Sequence, residues 1–208
     1  WQRGDYKPYL FRSDDRGRTF KSIAGDLPDR HPVWSVIQDH VNGNLIFAGT
    51  EFGLFFTVDG GSHWTQLKGG LPVAQIRDMV VQKRENDLVL GTFGRGFYIL
   101  DDYSALREVS NESMSAEAEL FPLRHAYQYD QHGYVEATWG NWTSPNPPVG
   151  ATLTYNVGSN FSGNLVMTIT DDQGRQVRRI AVPETAGVNR VTWNLRGDAA
   201  APPPGAAG

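Results

Sequence analysis

The sequence predicts an all-β chain, the last blades of a β-propeller followed by a linker and a second small β module, and three observations carry that prediction. First, an eight-residue turn occurs twice, as Ser13-Asp14-Asp15-Arg16-Gly17-Arg18-Thr19-Phe20 and as Thr57-Val58-Asp59-Gly60-Gly61-Ser62-His63-Trp64. Both copies read [Ser/Thr]-x-Asp-x-Gly-x-x-aromatic, with Asp15 and Asp59 44 residues apart. Second, the repetition continues. Gly25-Asp26-Leu27-Pro28 is answered by Gly69-Gly70-Leu71-Pro72, and Gly49-Thr50 recurs 42 residues later as Gly91-Thr92. A period in the forties that holds several short strands is the mark of a propeller blade. Third, 23 Gly and 12 Pro among 208 residues punctuate turns along the whole chain, as an all-β fold requires.

The strands follow in order. Tyr9 to Arg12 and Phe20 to Ile23 flank the first turn and form the two outer strands of an incomplete blade. A complete blade is predicted from Val33 to Gln38, Leu45 to Thr50, Leu54 to Thr57 and Trp64 to Leu67; each run is short, aromatic or β-branched, and bounded by Gly, Asn, Asp or Pro. The third copy runs Ile76 to Gln82, Leu88 to Thr92 and Gly96 to Leu100. It reaches Asp101-Asp102, where no glycine follows, and the array ends there. Ser104 to Glu119, poor in β-branched residues, predicts one or two short helical turns, and Glu119 to Tyr129 returns to strand-like content. The first module is therefore drawn over residues 1–130. A Pro- and Trp-rich linker with Trp139 and Trp142 spans 131–148. Four alternating strands follow within 149–208: Ala151 to Val157, Leu165 to Thr170, Gln176 to Val182 and Asn189 to Leu195. The middle two are joined by the hairpin signal Asp171-Asp172-Gln173-Gly174.

Local chemistry accounts for the repeated turn without catalysis. Asp15 and Asp59 can accept hydrogen bonds from N–H groups of their own turns, with Ser13 and Thr57 in support. Gly17 and Gly61 suit positive φ. Phe20 and Trp64, just past each turn, can bury a ring between adjacent sheets.

Composition narrows the function. Net charge is −4 with no basic stripe, which argues against a nucleic-acid partner. No cysteine is present, so disulfides and thiolate metal sites are excluded. The five histidines show no metal-ligand spacing, so neither a metal nor another cofactor is implied. No apolar run approaches a membrane span.

The repeated turn resembles the Asp-box, or BNR, repeat of sialidases, xyloglucanases and sortilin-like propellers. Residues 5–10 (Asp-Tyr-Lys-Pro-Tyr-Leu), 94–102 (Gly-Arg-Gly-Phe-Tyr-Ile-Leu-Asp-Asp) and 119–129 are similar to a set of large bacterial proteins described as sortilin-like or BNR-repeat glycosyl hydrolases. Asp171-x-x-Gly174-x-x-Val177-Arg178 and Gly187-x-Asn189-Arg190-Val191-x-Trp193 resemble the immunoglobulin-like module of flagellar hook-capping proteins. The resemblance implies a propeller followed by an immunoglobulin-like sandwich, both incomplete within these residues, in an extracellular, cell-surface or periplasmic protein. Upstream blades, downstream strands or a partner chain are expected to cover Phe11, Phe20 and the edge near Trp193.

Propeller geometry sorts the loops, placing His31, Glu51, Phe52, Arg77, Asp78, Phe93 and Arg95 on the face opposite the Asp turns. Asp78 begins an innermost strand, and Ser35 is its equivalent one blade earlier. A glycosidase needs two carboxyl groups across the scissile bond, and Asp78 with Glu51 is the one pair to nominate; the bland alternative for Asp78 is a rim ion pair with Arg77. Arg95, between two glycines, could meet an anionic ligand or a neighbouring carboxylate or carbonyl. Arg77, Phe52 and Phe93 complete the ligand-binding candidates. Three functions fit: a binding or scaffold protein for a glycan or protein ligand, a carbohydrate-acting hydrolase whose carboxylates lie mainly on other blades, and a structural subunit completed by strand addition.

Overall fold

The structure, a computed structural model, describes residues 4–128 and 147–198. It is all-β, built of small antiparallel sheets, and divides into two compact units, Trp1–Val109 and Ser110–Gly208. No helix among the described residues is long and apolar enough to cross a membrane.

In the first unit, β1 (Phe11–Arg12) and β2 (Lys21–Ser22) form a hairpin around the first Asp turn. Next comes a four-stranded meander of β3 (Val33–Gln38), β4 (Ile46–Thr50), β5 (Gly53–Thr57) and β6 (Thr65–Leu67). A three-stranded meander of β7 (Ile76–Gln82), β8 (Asp87–Thr92) and β9 (Phe97–Leu100) follows. The middle sheet is apolar on both faces because β4 and β5 carry apolar residues at both parities of the two-residue strand period. Ile46, Ala48, Phe55 and Trp64 pack on Leu10, Ile23 and Leu27 of the first hairpin and its loop. On the opposite side, Leu45, Phe47, Leu54 and Phe56 meet Ile76, Met79, Leu88 and Leu90.

Both Asp turns are built as the sequence suggests. The Asp15 carboxylate accepts from the Arg18 and Thr19 N–H groups at 3.0 and 2.8 Å and from the hydroxyls of Ser13 and Thr19. Hydrogen bonds from the Thr19 N–H and hydroxyl lead in holding its pKa down to about 2. Asp59 accepts from Ser62 N–H at 2.8 Å, His63 N–H at 3.0 Å, the Thr57 hydroxyl and His63 Nδ1. Partial burial opposes its charge, but these donors outweigh burial and hold its pKa below the ordinary range. The same contact raises the His63 pKa. Gly61 stands at φ 104°, and a Cβ there would fall 2.6 Å from the Ile23 carbonyl oxygen, so this turn also needs glycine to let the first hairpin approach. Trp64 is 8 % exposed and donates its Nε1–H to the Ile23 carbonyl at 3.0 Å. Phe20, whose cover the sequence reading expects from outside these strands, differs from Trp64. It is 67 % exposed, because no described residue stands over the hairpin's other face as Ile23 and Leu27 stand over Trp64.

The third sheet lacks an Asp turn because Asp102 takes another role, capping a 3₁₀ helix (Tyr103–Glu108) through the Ser104 N–H and hydroxyl. That helix carries a contact invisible in the sequence. Asp39, with a fully buried side chain, takes a bidentate ion pair from Arg107, Nε to Oδ2 and Nη2 to Oδ1, each at 2.9 Å. It also accepts the Tyr103 hydroxyl at 2.7 Å and the Val41 and Asn42 N–H groups. Burial opposes the Asp39 charge, and Arg107 followed by the other donors overcomes it, leaving the pKa well below the usual carboxylate range. Arg107 reaches Asn86 Oδ1 at 2.7 Å as well, so one cation links the β3–β4 and β7–β8 turns.

In the second unit a capped helix α1 (Asn111–Ser115) precedes β10 (Ala118–Leu120). The sheet β10–β11–β14 uses β11 (Ala151–Val157) and β14 (Gly187–Trp193). It packs on the hairpin of β12 (Val166–Thr170) and β13 (Gln176–Ala181) over Tyr155, Val157, Met167, Ile180 and Val191. The strand at 118–120, drawn in the sequence with the first module, instead pairs with β11, Leu120 opposite Tyr155, because β11 needs a partner on its second edge. Trp139, Trp142 and most of the 131–148 linker lie outside the described residues.

Two outcomes follow from these aspartates. Asp59→Ala should lower stability by about 1–2 kcal/mol, since its turn N–H groups lose an acceptor but reach water; chemical denaturation measures this. Asp39→Asn should cost about 3 kcal/mol at neutral pH, because Arg107 is left without its charge partner. Folding lowers the Asp39 pKa, so its stabilisation is complete above the unfolded-chain value of about 3.9 and is lost as pH falls through the lower folded value. Thermal unfolding of the wild type should therefore drop steeply below about pH 4, and the variant should fall less steeply.

Candidate functional site

The site arises from a defect that the two larger sheets share. In β3, Val33 and Ser35 face Thr50 and Gly49 of β4, leaving Trp34 as an extra residue. In β7, Ile76 and Asp78 face Thr92 and Gly91, leaving Arg77 extra in the same place. A bulge re-aims the side chain of its extra residue. Here the two bulged residues meet: the Arg77 guanidinium carbon lies 4.0 Å from the Trp34 ring centroid and 5.4 Å from that of Phe93.

The turn after β4 supplies the acid. Glu51 is held by its N–H on the Pro32 carbonyl at 3.1 Å, as Phe93 is held on Gln75 at 3.0 Å one sheet later. Glu51 Oε2 accepts Trp34 Nε1–H at 2.9 Å, and Oε1 accepts the Gln75 side-chain amide. Gln75 Oε1 in turn accepts Arg77 Nε–H at 2.9 Å. Trp34, Glu51, Gln75 and Arg77 thus form one hydrogen-bonded chain. It fixes the guanidinium plane through Nε and leaves the terminal nitrogens of Arg77 without a partner among the described residues.

These residues line a cleft of about 640 Å³, together with His31, Phe52, Tyr6, Asp29 and Arg30. His31 donates Nδ1–H to the Asp29 carbonyl at 3.1 Å and stands edge-on to Phe52 and Phe55, with centroids 5.0 and 5.6 Å away. The structure therefore brings together His31, Glu51, Phe52 and Arg77 of the sequence candidates, with Phe93 against Arg77. Asp78 does not line this cleft; its carboxylate turns back to accept the Met79 N–H at 2.9 Å. Arg77 pairs with the Trp34–Gln75 frame rather than with Asp78. Arg95 stands exposed on the β8–β9 turn, with no hydrogen bond or ion pair among the described residues. Among the described residues no group of three His, Asp or Glu side chains is placed to hold a metal.

Trp34 and Gln75 escaped the sequence reading. The signal lay in the repeat itself: aligning Val33-Trp34-Ser35-Val36 with Ile76-Arg77-Asp78-Met79 sets the two bulged residues at one position. No protein-family model, curated protein or solved structure matches this chain.

The cleft depends on how closely the two sheets approach beneath it. Ser35 Oγ donates to the Ile76 carbonyl at 3.0 Å across the junction. A Cβ on Gly49 would lie 2.7 Å from that carbonyl oxygen and strike Ser35 Oγ, whereas one on Gly91, the equivalent glycine, meets nothing nearer than 3.7 Å. Gly49→Ala should cost about 1–3 kcal/mol by overpacking, and Gly91→Ala should leave stability within about 0.5 kcal/mol of the wild type. Paired denaturation curves measure both.

Proposed function

We propose that the first unit is a sector of an Asp-box β-propeller and the second an immunoglobulin-like module. In this reading the protein is an extracellular binding or scaffold protein whose cleft at Trp34 and Arg77 holds a glycan. The observation that carries it is the Arg77 guanidinium, stacked on Trp34, oriented by Gln75 and left with terminal N–H groups facing a 640 Å³ cleft. Such a fork is organised before any ligand arrives, which limits the entropy lost on binding, and it suits the paired oxygens of a sugar diol or carboxylate.

The nominated pair, Asp78 and Glu51, lends no support to hydrolysis at this cleft, which leaves the hydrolase reading to carboxylates on other blades. Both Glu51 oxygens already accept fixed donors, Asp78 turns away into its own strand, and the two do not share the cleft. A glycosidase needs one carboxyl group to protonate the leaving oxygen and a second to attack or to activate water.

Titration calorimetry against neutral and acidic oligosaccharides tests this proposal. A binding oligosaccharide should lose about tenfold in affinity with Arg77→Ala, about 1.4 kcal/mol, with the unfolding midpoint unchanged. Absence of binding across the panel would overturn the glycan reading, and release of new reducing ends by the wild type would favour the hydrolase.

A further inference from the structure

The β3–β4 turn carries a reactive pair of residues beside the buried Asp39. Asn42 is followed by Gly43, and no other asparagine of the chain is followed by glycine. Asn42 is half-buried and Gly43 is exposed. The Asn42 side-chain oxygen accepts the Asn44 N–H at 3.0 Å. That hydrogen bond closes a ring containing the Gly43 nitrogen, so the side-chain carbonyl is folded back along the chain toward it. It also draws electron density from the carbonyl carbon. The Gly43 N–H donates to no described residue: the backbone hydrogen bonds of this turn run from the Asp39 N–H to Leu45 and from the Leu45 N–H to Asn42. The Gly43 nitrogen is free to act as a nucleophile, and glycine puts no Cβ in the way of its approach.

We propose that Asn42 is a site of spontaneous deamidation whose products loosen the tie between Asp39 and Arg107. The deprotonated Gly43 nitrogen attacks Asn42 Cγ. The new C–N bond closes a cyclic imide as the Cγ–Nδ2 bond breaks and ammonia leaves. Water then opens the imide at either carbonyl. Cleavage between Cγ and the Gly43 nitrogen gives aspartate in an ordinary main chain. Cleavage between the main-chain carbonyl carbon and that nitrogen gives isoaspartate, with the chain running through the side-chain carbons. One amide and one water become a carboxylic acid and ammonia, and no oxidant or cofactor is consumed.

The position of Asn42 gives these products their effect. Its main-chain N–H donates to Asp39 Oδ2 at 2.6 Å, and its side-chain amide reaches the Arg107 carbonyl at 3.5 Å. Asp39 is fully buried at its side chain and also holds Arg107, Tyr103 and the Val41 N–H. A carboxylate at position 42 removes the amide donor, turns an acceptor toward the Arg107 carbonyl and sets a second negative charge beside Asp39. Isoaspartate changes more. It lengthens the main chain by one carbon just after the N–H that Asp39 accepts, and the carbonyl that accepts the Leu45 N–H becomes a free carboxylate. Arg107 also holds Asn86, so a loss at the β3–β4 turn reaches the β7–β8 turn.

Timed incubation of the folded chain tests the site. Wild type and Gly43→Ala are kept in parallel in mildly alkaline buffer at body temperature. Samples are digested and mapped by mass spectrometry, with chromatography separating aspartate from isoaspartate. Asn42 should convert before any other asparagine, and Gly43→Ala should slow its conversion at least tenfold. The variant is a fair control, since an added Cβ meets only the end of the Gln38 side chain, at 3.3 Å, and Gly43 lies outside the left-handed region. Thermal unfolding of the aged samples, each against its own fresh sample, reads the effect on the tie. The wild-type midpoint should fall as Asn42 is consumed, while that of Gly43→Ala holds. Asn42→Asp, made directly, should reproduce part of the fall, and less of it in an Asp39→Asn background, where the opposing charge is gone. Another asparagine converting first, or equal rates in the two proteins, overturns the inference. So does a midpoint unmoved by complete conversion of Asn42, or an Asn42→Asp effect undiminished by Asp39→Asn.

Discussion

The first unit depends on one constraint, that β4 and β5 have no face that can meet water. Ile46, Ala48 and Phe55 point one way, Phe47, Leu54 and Phe56 the other, and all are buried. A strand pair apolar at both parities requires a layer on each side, so the hairpin before it and the meander after it are conditions of its folding. The glycines at 49 and 61 follow from the same demand, since each lies where a neighbouring sheet approaches its backbone. So does the cleft. The bulges at Trp34 and Arg77 lie at the ends of adjacent sheets, and only their close stacking brings a residue of one onto a residue of the other.

Aspartate does two kinds of work here, distinguished by reach. Asp15 and Asp59 gather donors no more than four residues away and hold hairpins closed at the protein surface. Asp39 gathers Tyr103 and Arg107, 64 and 68 residues away, and ties the 3₁₀ helix to the turns beneath it. The first kind forms with the hairpin; the second exists only when both larger sheets and the helix are in place. In each case the carboxylate is satisfied by fixed donors, which suits a structural anion better than an acid or base that must change its proton. Glu51 follows the same pattern, with both of its oxygens accepting fixed donors.

Much of the secondary structure was legible because it is set by local chemistry. The bounds of β3, β7 and β11 are those read from alternation and turn residues, and the loss of glycine after Asp102 marked the end of the array. The second unit was legible only in part. Its hairpin at Asp171–Gly174 is local, with Asp171 accepting from the Gln173 and Arg175 N–H groups, but β10 joins its sheet across more than thirty residues of chain. Nothing within Ala118–Leu120 specifies which strand it must pair with.

By itself, then, the sequence determined an all-β chain, its repeated Asp turns, the period of its sheets and the rim on which Glu51, Phe52 and Arg77 would stand. These are short-range properties, written in turn residues and a two-residue alternation. Tertiary structure alone decided that Trp34 and Gln75 complete the site, that Asp78 turns away from it, that Asp39 is buried against Arg107, and that Trp64 is covered while Phe20 is not. The physical reason is that a bulge shifts register by one residue and a sheet junction joins residues some forty apart. A side chain's partner is then set by which surfaces stack, which no stretch of a dozen residues encodes.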